Sequence, residues 1–131
     1  MKRVVTFGTF DLFHIGHLNI LERAAALGDY LIVGVSSDEL NFSKKNFYPV
    51  FPYADRARLV GALGCVGEVF MEVSLEAKGD YLHEYRADLL VMGADWEGRF
   101  DQYREICEVV YLPRTPDIST TVLKERLRYP V

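Results

Sequence analysis

The chain predicts an α/β fold, a five-stranded parallel sheet with helices on both faces. Short apolar runs alternate with longer helical patterns along its whole length. The run Tyr30-Leu-Ile-Val-Gly-Val-Ser36 scarcely alternates between apolar and polar, as expected of a strand buried on both faces. The segments between runs are long enough for right-handed crossovers, which keep successive strands parallel. No internal repeat, low-complexity tract or linker breaks the pattern, and residues 1–131 read as one domain.

Residues 3–7 read as the first strand and 18–27 as a helix that Gly28 stops. Residues 30–36 form the second strand, with Asp38 at its end. Residues 41–52 are polar, aromatic and proline-bearing, so they read as a loop, and 55–63 as a helix that starts near Tyr53 or Asp55. Residues 66–73, 88–93 and 108–112 supply the remaining strands, with helical segments over 75–85 and 100–106 between them. A last helix spans 119–128, capped by Ser119 or Thr120. Pro113 and Pro116 stiffen its approach, and Asp117 reads as solvent-exposed. In open parallel sheets, ligands bind beyond the strand C-termini, at the switch point. Thr9, His14, Asp38, Asp95 and Arg114 each follow a strand and should gather on that edge.

Composition narrows the classes. Half of the 131 residues are hydrophobic and 26% are charged, as in ordinary globular proteins. A net charge of −4 argues against general nucleic-acid binding. No apolar run approaches the roughly 20 residues of a spanning helix, and no signal-peptide pattern opens the chain. The two cysteines, Cys65 and Cys107, are isolated and suit a reduced, cytoplasmic protein.

The chemistry concentrates in Thr6-Phe-Gly-Thr-Phe-Asp-Leu-Phe-His-Ile-Gly-His17. A strand that ends in a glycine-bearing turn and re-enters as a helix offers unpaired backbone N–H groups and a dipole that favours anions. If the helix starts near Ile15 or Gly16, then His14 and His17 face one ligand, and Thr9 adds a hydroxyl. Two histidines three apart could instead be a metal pair, or plain capping residues. The phosphate reading is favoured because this turn holds two of the chain's three histidines. Arg114 can hold phosphate oxygens bidentately, and Ile118-Ser-Thr-Thr121 places three hydroxyls and free N–H groups at a helix start. Lys44 and Lys45 read either as a solvated loop tip or as a basic flap. Trp96 reads either as core or as the wall of a base or sugar.

Gly8-Thr-Phe-Asp-Leu-Phe-His-Ile-Gly-His17 resembles the GTFDxxHxGH signature of the cytidylyltransferases in the nucleotidyltransferase superfamily. Arg114-Thr-Pro-Asp-Ile-Ser-Thr-Thr121 resembles the family's RTxxISTT segment, and Met92-Gly-Ala-Asp-Trp-Glu-Gly98 its MGxDWEG turn. The likeness covers essentially the whole chain. It implies a Rossmann-like nucleotidyltransferase fold and transfer of CMP from CTP to a small phosphorylated acceptor, with glycerol 3-phosphate leading. Another acceptor, an adenylyltransferase or a non-catalytic nucleotide-binding module stay open as alternatives. By resemblance, the catalytic residues are His14, His17 and Arg114. The nucleotide-binding set adds Gly8, Thr9, Phe10, Ile15, Gly16, Asp95, Thr115, Ile118, Ser119, Thr120 and Thr121. Lys44, Lys78 and Arg56 are expected to bind the acceptor. Magnesium is expected to arrive on the CTP phosphates, with no protein metal ligands, and the resemblance implies a homodimer without nucleic-acid or membrane partners.

Two stretches depart from the family. Ala94 replaces an acidic residue often found there. In Gly61-Ala-Leu-Gly-Cys-Val-Gly-Glu-Val69, Gly64 stands where an arginine is usual and Gly67 where an aspartate is usual, which bears on the grip on the acceptor.

Overall fold

All five expected strands form: β1 (Arg3–Gly8), β2 (Tyr30–Ser36), β3 (Glu68–Glu72), β4 (Leu89–Gly93) and β5 (Glu108–Leu112). The computed structural model describes residues 1–116 and 118–128, so the expectation for Asp117 lies outside the described residues. The sheet order is β3-β2-β1-β4-β5, and every neighbouring pair is parallel. The chain therefore steps outward from β1 to β3, then returns to the other side of β1 for β4. That reversal makes the β1/β4 boundary the switch point.

The register shows why this boundary opens. β1 pairs with β2 along its full length, from Arg3↔Tyr30 to Gly8↔Val35. Its pairing with β4 ends at Thr6↔Val91. Phe7 and Gly8 thus part from Met92 and Gly93, and a crevice begins between the two strand ends.

Alternation along β1 sends Val4 to one face and Val5 and Phe7 to the other, and two core clusters result. One joins Val4, Val33 and Val91 to Leu21 of α1 (Ile15–Ala25) and Val60 of α3 (Tyr53–Gly61). The other joins Val5, Ile32, Phe70 and Leu90 to Leu82 of α4 (Lys78–Glu84), with Phe100 and Tyr103 packed alongside. Each fully buried aliphatic side chain contributes about 1.5–3 kcal/mol relative to exposure.

Several boundaries move. The expected loop over 41–52 is partly helical, because α2 spans Asp38–Lys45. Ser37 caps it by accepting from the Leu40 N–H, Asp38 and Glu39 sit in its first turn, Lys44 and Lys45 in its last, and Asn46 closes it in the left-handed region. The segment over 100–106 is a 3-10 turn, Asp101–Glu105, rather than an α-helix. The last helix, α5, spans Thr120–Arg128, and Ser119 Oγ accepts from the Val122 N–H as its cap.

Two of the expected acceptor-binding cations are interior. Arg56 is 0% exposed. Its guanidinium donates to the carbonyls of Phe51, Thr9 and Ser36 at 2.8–2.9 Å and to Asp38 Oδ1 at 2.6 Å. This corrects the acceptor-binding expectation: Arg56 holds the ends of β1 and β2 to α3 and has no face toward a ligand. Lys78 pairs with Glu72 at 2.6 Å, both buried, with its ammonium 4.3 Å from the Phe7 ring centroid.

The departures at 64 and 67 differ in kind. A Cβ on Gly64 would meet nothing. A Cβ on Gly67 would lie 2.2 Å from the Tyr30 ring, whose hydroxyl donates to the Gly67 carbonyl at 3.0 Å. Gly67→Ala should therefore cost about 1–3 kcal/mol of stability by overpacking. Urea denaturation should show that cost shrinking in a Tyr30→Ala background, because the two positions couple directly. Equal costs in both backgrounds would contradict the packing account.

Candidate functional site

The crevice at the switch point widens into a cavity of about 380 Å3, within the size range of small-molecule sites. Its floor is the turn that leaves β1. Phe10 and Leu12 sit there at φ 55° and 49°, a left-handed conformation that costs non-glycine residues about 1–3 kcal/mol each. Asp11, between them, is 4% exposed. Its carboxylate accepts the N–H groups of Val50 at 2.7 Å, Phe51 at 3.0 Å and Leu12 at 3.1 Å, and its carbonyl accepts the Thr120 hydroxyl at 2.9 Å. One residue thereby fixes the turn, the loop before α3 and the start of α5 against one another.

The helix begins at Ile15, so His14 is its N-cap and His17 lies in its first turn. His14 Nδ1 accepts from the Gly16 N–H at 3.0 Å, and His17 Nδ1 accepts from the His14 N–H at 3.2 Å. The rings stack at 3.8 Å between centroids. An Nδ1 that accepts carries no proton, so both neutral rings bear theirs on Nε2. Burial lowers the pKa of His14 below the usual histidine value. His17 falls to about 4, through burial first and the neighbouring His14 second, with Asp11 opposing. At neutral pH the pair is uncharged and presents N–H donors. Gly16 is required here, because a Cβ would lie 2.8 Å from the His14 ring.

Across the crevice, Arg114 pairs with Asp95 at 3.2 Å, both largely exposed. Thr115 accepts from Asn19 Nδ2 at 3.0 Å, which ties this strand end to α1. Of the expected nucleotide residues, Gly8, Thr9, Phe10, His14, Gly16, His17, Asp95, Arg114, Thr115, Ile118, Ser119, Thr120 and Thr121 all line the cavity. Ile15 does not; it is 55% exposed at the first turn of α1. The Thr9 hydroxyl is committed to Asn41 Oδ1 at 2.8 Å, so its backbone rather than its hydroxyl is left for a ligand.

The expected acceptor cations stand apart from this lining. Arg56 and Asp38 lie behind it, joined to each other. Lys44 and Lys78 sit near Glu72; burial lowers the Lys44 pKa, Glu72 opposes this, and the charges of Lys45, Lys78 and Arg56 add to it. Lys45, not Lys44, reaches the lining, together with Asn41, Phe47 and Lys124. Trp96 lines the cavity at 46% exposure, so it is wall rather than core. Sequence reasoning passed over Asp11, although it lies inside the signature; an acid flanked by apolar residues in a tight turn was its available signal.

The model of the cytidylyltransferase-like family matches residues 5–126. A glycerol-3-phosphate cytidylyltransferase of Bacillus subtilis is 48% identical, over 97% of this chain and 98% of that protein. One of Staphylococcus aureus is 45% identical, over 97% and 96% respectively. Among solved structures, a lipopolysaccharide core biosynthesis protein from Thermoplasma volcanium shares the fold with a TM-score of 0.77 at 24% identity, over 88% of this chain and 98% of that one.

The lowered His17 pKa carries a sign. The unfolded chain binds a proton near pH 6.5 that the folded chain refuses until about pH 4. This contribution to stability is complete above pH 6.5 and is lost as pH falls toward 4. Nitrogen NMR of the ring should show the Nε2–H tautomer at pH 7 and no imidazolium at pH 5.5. An imidazolium at pH 5.5 would overturn the neutral-donor assignment.

Proposed function

We propose that this chain, which belongs to the cytidylyltransferase-like family, transfers CMP from CTP to sn-glycerol 3-phosphate, giving CDP-glycerol and pyrophosphate. The observation that carries the reading is one crevice flanked by two donor stations, the paired histidines of the β1 turn and the Arg114–Thr121 approach to α5. The relatives with this printed activity are 45–48% identical along nearly the whole chain, which supports the same assignment.

An acceptor phosphate oxygen attacks the α-phosphorus in line. The bond from that phosphorus to the α,β-bridging oxygen breaks, and pyrophosphate leaves with its electron pair. No covalent nucleophile is needed; the protein aligns two anions and stabilises the charge that builds between them. The Nε2–H groups of His14 and His17 donate to the α,β region. Because both rings are neutral, they serve as positioned hydrogen-bond donors and leave the counter-charge to Arg114. Backbone N–H groups at Gly8 to Phe10 seat the α-phosphate. Arg114, leaving Asp95, holds the departing phosphates with Ser119, Thr120 and Thr121.

The acceptor phosphate meets Lys45, which reaches the cavity lining, whereas Lys44 and the buried Lys78 stand apart from it. The donors brought to the cavity are imidazole, ammonium, guanidinium and hydroxyl groups, and the Asp11 carboxylate is already filled by N–H groups. Magnesium fits this set as an ion carried by the triphosphate oxygens, where it neutralises charge. The chain would act as a cytoplasmic homodimer whose product feeds a cell-wall or capsule polymer. The free Cys65 and Cys107 are in keeping with a reducing compartment.

Pyrophosphate release tests this directly. It should require CTP together with glycerol 3-phosphate and magnesium, and ATP should not substitute. His17→Ala should lower turnover by about 10²–10³-fold, as loss of one transition-state donor does, while the fold persists. Release with ATP alone, or near-normal turnover of His17→Ala, would defeat the assignment.

A further inference from the structure

Lys124 has no part in the reaction as described, yet its side chain lines the cavity. It lies four residues after Thr120 on α5, hence on the same helix face, and helical side chains lean toward the N-terminus. Its ammonium accordingly reaches back to the start of the helix, where it stands 3.9 Å from Asp11 Oδ2 and 4.7 Å from the centroid of the Phe47 ring. Neither contact is a hydrogen bond: the first is too long, and the second is a cation over an aromatic face.

Both holds are easily given up. The Asp11 carboxylate already accepts three backbone N–H groups at 2.7–3.1 Å, so it stays satisfied when the ammonium leaves. Phe47 is half exposed, so the ring contact is partly screened by solvent. Across the cavity, Arg114 pairs with Asp95 at 3.2 Å, and both side chains are largely exposed. Two cations thus rest on carboxylates on opposite sides of the α5 approach.

We propose that Lys124 is a further binding residue for the polyphosphate tail of the nucleotide, moving from Asp11 and Phe47 onto the β,γ-phosphates opposite Arg114. This rests on the reading that the tail lies at the start of α5. The ligand class is a di- or triphosphate. Inorganic pyrophosphate contains the recognised part, and CMP lacks it.

The test is steady-state inhibition by magnesium pyrophosphate and by CMP in the wild-type enzyme, Lys124→Gln, Lys124→Arg and Arg114→Gln. Lys124→Gln should weaken pyrophosphate inhibition and raise the KM for CTP by about tenfold each, the scale of a charge-assisted hydrogen bond. CMP inhibition and the KM for glycerol 3-phosphate should stay unchanged, and Lys124→Arg should recover most of the loss. If Lys124→Gln leaves pyrophosphate inhibition intact while Arg114→Gln weakens it, the role of Lys124 is wrong and the placement of the tail stands. If neither variant weakens it, the tail lies elsewhere and both ideas fall. If CMP inhibition and the acceptor KM shift along with pyrophosphate, Lys124 is only a strut between α5 and the loop, and the proposal is overturned.

Discussion

The carboxylate of Asp11 is the tie on which the geometry of the crevice depends. The turn after β1 places two bulky residues, Phe10 and Leu12, in the left-handed region, a conformation that would relax if nothing opposed it. Asp11 opposes it with three accepted N–H bonds, two of them from the loop before α3. The backbone carbonyl of the same residue takes the Thr120 hydroxyl. Segments far apart in sequence are therefore held within one hydrogen-bond network, and the turn after β1 and the start of α5 share a common anchor. Arg56 performs the matching task behind the turn, where its guanidinium binds the carbonyls of Thr9 and Ser36 at the ends of adjacent strands.

On this fixed floor, the histidines gain direction by serving as their own helix cap. Each Nδ1 is occupied by a backbone N–H, which dictates the tautomer and aims Nε2 outward. Burial removes their charge as well. A neutral donor is less strongly hydrated than an imidazolium, and it does not repel Arg114. The division of labour follows from this: positive charge comes from the long, exposed Arg114 at the rim, and direction comes from the short, partly buried histidines on the floor.

What could be read from the sequence follows the range of the forces involved. Strand runs, helix starts and the gathering of residues after each strand are local or topological, and they were legible. The signature placed His14 and His17 correctly because the spacing of a cap and a first turn is local. Arg56 was misplaced because its partners Thr9 and Ser36 lie at the ends of two strands far from it in sequence, so only the folded chain shows that its charge is spent internally. Lys44 and Lys45 are adjacent, and the choice between them depends on the phase of α2, which the proline- and aromatic-rich stretch after it concealed. The signals for α2 were nonetheless present: Ser37 before Asp38 and Glu39, and Lys44 and Lys45 before Asn46.

Gly64 and Gly67, which the sequence sets apart, sit in opposite surroundings. At Gly64 there is open space, so the glycine reflects no steric demand. At Gly67 the Tyr30 ring occupies the volume that a side chain would need, and the Tyr30 hydroxyl bonds the exposed carbonyl. Arg3 lies over the same ring at 5.3 Å, so arginine, tyrosine and glycine pack together at this end of the sheet. Gly67 and Tyr30 therefore form one structural unit, and neither is informative about catalysis without the other. Lys45, which reaches the cavity lining from the end of α2, is a cation available near the site. Gly64 and Gly67 lie outside the cavity lining, while the turn after β1 and the start of α5, both tied to Asp11, line it.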